Sequence, residues 1–168
     1  AQAGGSAPSA IREVDACKPQ FFTVPDGSFI GPACDCLIPA DALGPGALDA
    51  HVPGFIDRQM QTEYGSGGLW YMQGPFQAEL SPEFGYQYKF VPRDIYRIGI
   101  ADLNAYCTKS YKKIFVELEQ EKMVELLRGM EKGSVELATV PSEVFFSQLL
   151  ANTREGFFSD PMFGGNKD

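Results

Sequence analysis

Between Glu121 and Lys132, Met123, Leu126, Leu127 and Met130 recur at helical spacing, and Gly133 closes the stretch. Such a stripe lets a helix bury one side against a core. A strand has no use for it, because its alternate residues face opposite ways. The same period returns further along and earlier. Pro92 starts a run in which Ile95, Ile98, Leu103 and Tyr106 face inward, leaving Arg93, Arg97 and Asn104 outside. Pro141-Ser142-Glu143 opens a last helix with Phe145, Phe146, Leu149 and Leu150 on its apolar side. No internal repeat is visible, and no strands alternate with these helices as a nucleotide-binding sheet requires. The expected fold class is all-α, a small irregular helical domain with long loops.

The first half of the chain is less regular. Residues 1–20 are small and polar without periodicity and read as a flexible N-terminal arm; residues 21–168 form a single helical domain. Phe21-Phe22-Thr23-Val24 before Pro25-Asp26-Gly27 can be a strand entering a turn, which leaves room for a minor β-hairpin. Asp41 and Pro45 mark a helix start, after which Leu48, Val52, Phe55, Ile56 and Met60 share one stripe. Pro53 interrupts that stripe, so a kink or two abutting helices is expected. A long connection over residues 61–91 carries Trp70, Tyr71 and Phe76 among other rings. Structureless loops of this length are often functional, and aromatic side chains are enriched at interfaces.

Composition narrows the function. A chain of 168 residues suits one domain, and its net charge of -8 makes nucleic acid a poor partner. No apolar run approaches the roughly 20 residues that span a bilayer, so membrane association is expected only through a partner. Ala1-Gln2-Ala3-Gly4-Gly5-Ser6-Ala7 reads as a start left by signal-peptidase cleavage. Cys17, Cys34, Cys36 and Cys107 lack metal-ligand spacing, and His51 is the single histidine. One or two disulfides in an oxidising compartment are expected, with three pairings open. His51 reads as a surface or capping residue, and Asp57-Arg58 as a structural ion pair. Gly65-Ser66-Gly67-Gly68 lacks the strand and the Lys-Ser/Thr pair of a phosphate loop. Neither a Cys-x-x-Cys-His string nor a GxGxxG unit is present, so no cofactor, catalytic residue or metal is assigned to this chain.

The closing string Glu155-Gly-Phe-Phe-Ser-Asp-Pro-Met-Phe-Gly-Gly-Asn166 carries most of what remains. Gly156 reads as the residue that ends the last helix. Phe157, Phe158 and Phe163 then lie among turn residues Asp160, Pro161, Gly164, Gly165 and Asn166, and Asp160 is expected to bond backbone N–H groups of its own turn. Rings in such a segment need a core or another protein's surface, so residues 155–168 read as a docking segment. Trp70, Tyr71 and Phe76 form the second candidate contact.

This ending, with CDCLIPADALGPGALDAHVPGFIDRQM (Cys34 to Met60) and RDIYRIGIADLNAYC (Arg93 to Cys107), resembles the gluconate 2-dehydrogenase subunit 3 family from about Pro25 onward. The resemblance implies a helix through Phe29, Ile30, Ala33, Cys34 and Leu37, broken at Gly31-Pro32. It favours a Cys34–Cys107 disulfide, with a second bridge from Cys36 to Cys17 or to a partner also open. It implies a periplasmic, non-catalytic small subunit that assists maturation, twin-arginine export and stability of a large flavoprotein. FAD then belongs to that large subunit and haem c to a cytochrome c subunit, with the membrane reached only through the complex. A small subunit of a ketogluconate or glycoside 3-dehydrogenase, and a stand-alone carbohydrate-binding module, are the alternatives.

Overall fold

Prolines mark where helices begin in this protein, because a missing N–H costs nothing in a first helical turn. In the computed structural model, which describes residues 20–69 and 89–160, Pro25, Pro53 and Pro92 open three helices. The helices are α1 (Val24–Leu37), α2 (Val52–Gln59), α3 (Glu63–Ser66), α4 (Pro92–Tyr111), α5 (Gln120–Glu131) and α6 (Ser142–Phe158). A short 3-10 turn, Phe115–Glu117, joins α4 to α5. The all-α expectation is met: among the described residues there is no strand, and Asp41 and Gly44 form one isolated antiparallel bridge.

Three local expectations are corrected. The hairpin near Phe21–Gly27 is not formed, since Val24 already belongs to α1 and Thr23 caps it by accepting the Asp26 N–H at 3.4 Å. Helix α1 is also continuous and not broken. The carbonyl that Pro32 leaves without its i+4 donor is that of Ser28, on the exposed side, where water can serve it. Finally, Asp41 and Pro45 start no helix. Asp41 and Gly44 exchange backbone hydrogen bonds of 3.1 and 3.3 Å, and the Asp41 carboxylate accepts the Leu43 N–H at 2.7 Å. The helix begins at Val52, so Pro53 initiates α2 instead of interrupting it. The stripe itself holds, with Val52, Phe55, Ile56 and Met60 buried.

Helix α6 is central and packs on α1, α2, α4 and α5. Its Phe145 meets Phe29 with ring centroids 5.8 Å apart and Tyr96 at 6.1 Å, and Phe29 in turn meets Phe115 at 4.9 Å. A Cβ on Gly99 of α4 would come within 2.6 Å of the Phe145 ring, so glycine is what lets these helices approach. Ile95, Leu103, Leu126, Leu127, Met130 and Leu149 complete the core as their periodicity predicts, whereas Ile98 and Tyr106 are only partly buried. No described helix is long and apolar enough to cross a membrane.

Candidate functional site

The C-terminal half of α6 is where the docking segment leaves the body of the protein, and its local structure differs from the sequence reading. Gly156 does not end the helix, which runs on to Phe158 with Ser159 as C-cap. Gly156 is buried in the contact with α2. A Cβ there would lie 2.8 Å from Phe55 Cδ1 and 3.2 Å from Val52 Cγ1. The glycine serves close helix approach, not chain reversal.

One turn earlier a buried polar network fixes the same half-helix. Asn152 is fully buried; its Oδ1 accepts from Tyr96 Oη at 3.0 Å and from Gln148 Nε2 at 2.7 Å. Its Nδ2 donates to Tyr64 Oη at 2.9 Å and to Glu155 Oε2 at 3.0 Å. Gln148 Nε2 also donates to Tyr64 Oη. All four hydrogen-bonding positions of the amide are thereby filled, which favours one arrangement of α3, α4 and α6. Burial raises the hydroxyl pKa of Tyr64 and pushes that of Tyr96 well up, so both remain neutral donors and acceptors. The sequence reading gave Tyr64 only to the aromatic loop and did not single out Asn152. The signal lay in Asn152 and Gln148 at i, i+4 beside an apolar stripe.

Beyond this network come the predicted docking residues. Phe157 is partly buried against the core, while Phe158 is 75% exposed. Their rings meet edge-on, with centroids 5.1 Å apart at 89°. Asp160 is exposed just past the helix end. Pro161, Phe163, Gly164, Gly165 and Asn166 lie outside the described residues, as do Trp70, Tyr71 and Phe76 of the aromatic loop.

The expected Cys34–Cys107 disulfide is absent: both are free, buried thiols. Cys34 Sγ lies 3.5 Å from Thr153 Oγ1 on α6, and that hydroxyl gives its own proton to the Leu149 carbonyl at 2.7 Å. The Cys34 thiol is therefore the donor, directed at α6. Burial raises its pKa to about 12 and that of Cys107 to about 11. Cys36 is also free, with its pKa raised to about 11, and Cys17 lies outside the described residues.

Asp57 is buried, and its carboxylate accepts three backbone N–H groups: Gln20 at 2.6 Å, Phe21 at 3.1 Å and Phe22 at 2.9 Å. That anchor replaces the expected pairing with Arg58 as the main role of this carboxylate. It sets the start of the fold against α2, where the Arg97 guanidinium lies 4.3 Å from the Phe21 ring centroid. His51 occupies the N-cap position of α2 with φ 55°, a left-handed backbone, and makes no side-chain cap bond. A groove of about 400 Å³ beside α5 is lined in part by Tyr106, Tyr111, Glu121, Glu125 and Arg128. No described cluster of His, Cys, Asp or Glu is placed to hold a metal ion.

Comparison with curated proteins and with solved structures returned no match. Residues 25–168 match the family described as gluconate 2-dehydrogenase subunit 3. The matched region takes in both the Asp57 anchor and the α6 end, and by its name such a subunit works beside others. The chain belongs to the gluconate 2-dehydrogenase subunit 3 family.

Proposed function

We propose that this protein is the non-catalytic small subunit of a periplasmic, flavin-dependent sugar-acid dehydrogenase, with gluconate as the favoured substrate, and that it docks on the large flavoprotein through the end of α6. The observation that carries this reading is Phe158, a large ring left 75% exposed at the tip of a helix that is otherwise locked in place. Burying such a ring is worth about 1.5–3 kcal/mol. A helix end already held by Gly156 packing and the Asn152 network loses little conformational freedom on binding. A subunit that binds only the folded flavoprotein stabilises it by mass action, which is how this chain would assist maturation and export. In this reading the large subunit's FAD accepts hydride from C2 of the sugar acid, giving a 2-keto acid. A cytochrome c subunit passes the electrons onward.

Co-expression with the flavoprotein tests the proposal. Phe158→Ala is expected to leave the lone subunit folded and to reduce co-purification of the flavin-containing chain. Unchanged co-purification would refute docking through this ring. The groove with Tyr106, Tyr111 and Arg128 offers rings and charges that suit a sugar acid, which favours a carbohydrate-binding module as the second reading. Saturable heat on titrating the lone chain with gluconate would support that alternative.

A further inference from the structure

The chemistry around Phe158 describes the surface that receives it. The last carbonyls of a helix have no N–H partner within the helix, and its C-terminus carries about half a negative charge. In α6 this end has no basic residue in its last turn. Exposed Glu155 stands three positions before Phe158, and exposed Asp160 two positions after it. Arg154, also exposed, is the cation nearest in sequence and one turn back. Two carboxylates and the helix terminus outweigh it, on a chain whose net charge is -8. Phe157 meets the Phe158 ring at a right angle and so presents an L-shaped apolar step. An acidic cleft would be repelled by this end, and a purely apolar one would strip water from its charges without compensation.

We infer that α6 docks end-on into an apolar cleft of the partner subunit that is rimmed by lysine or arginine side chains. The inference rests on the docking reading above and adds to it the partner's charge. The probe is the flavin-containing subunit isolated from the complex and immobilised, with binding measured at about 50 and about 500 mM salt, where screening lengths differ about threefold. The variants are Phe158→Ala, Asp160→Asn, Glu155→Gln and Arg154→Gln. Glu155→Gln keeps an oxygen to accept from Asn152, and the other three sites are exposed, so melting curves should match the parent's.

Phe158→Ala is expected to weaken binding at least about tenfold at both salts. Asp160→Asn and Glu155→Gln should each weaken it about two- to fivefold at low salt, with little effect at high salt, and Arg154→Gln should tighten it. A Phe158→Ala loss without any effect of salt or charge would overturn the basic rim while leaving docking intact. Weaker binding by Arg154→Gln with tighter binding by Asp160→Asn would also overturn it, by showing an acidic rim. No loss with Phe158→Ala would overturn docking itself and this inference with it.

Discussion

Gly156 and Asn152 show how much a single position decides here. Gly156 ends no helix, so alanine there gains helix propensity of about 1 kcal/mol but drives a methyl into the buried Phe55 ring. The clash is expected to win, with a net loss of about 1–2 kcal/mol in urea unfolding. Asn152→Leu strands Tyr96, Gln148 and Tyr64 at once and should cost about 2–4 kcal/mol, whereas Tyr96→Phe removes one bond and should cost about 1 kcal/mol. Equal losses from these two variants would show that the network does not act as a unit. None of this was legible in sequence. A glycine for close approach and a glycine for a helix end look alike until the neighbouring helix is known, and one buried asparagine breaks no pattern.

At the level of elements, periodicity was legible and boundaries were not. The stripes of α2, α4, α5 and α6 are buried largely as their spacing predicts. Errors arose at Pro32, Pro53 and Asp41, where one residue type can start, interrupt or avoid a helix depending on what faces its backbone. The Asp57 anchor was misread for a related reason. FIDRQ offers a neighbouring Arg58, while the true partners lie some 35–37 positions away as backbone N–H groups. Asp57→Ala leaves three donors without their acceptor and is expected to cost at least about 2 kcal/mol. Hydrogen exchange should quicken at Phe21 and Phe22 more than in α5. By contrast, Phe158→Ala should change stability by no more than about 0.5 kcal/mol, since that ring is exposed.

For the whole molecule, free thiols and buried phenols make alkali the sensitive side. Burial holds Cys34 at about 12 and Cys36 and Cys107 at about 11, against 9.0 ordinarily, and raises Tyr64 and Tyr96 from 10.0. In the unfolded chain these groups give up protons first. Their contribution is therefore complete below about pH 9 and lost as pH rises through the folded values. The urea midpoint should be flat from about pH 7 to about 8.5 and fall beyond about 9. Peptide mapping without reductant should recover Cys34 and Cys107 unlinked, and alkylation at neutral pH should reach them only after unfolding.

The last of these helices to be synthesised is also the one that α1, α2, α4 and α5 share as a neighbour. Until α6 leaves the ribosome, the segments already made lack the surface that unites them. Nascent chains stalled before Pro141 should therefore remain protease-sensitive, and those stalled far enough beyond Phe158 to free α6 should resist. Completion of translation becomes the trigger for compaction, and the tip that seeks a companion is the final part of that helix to emerge.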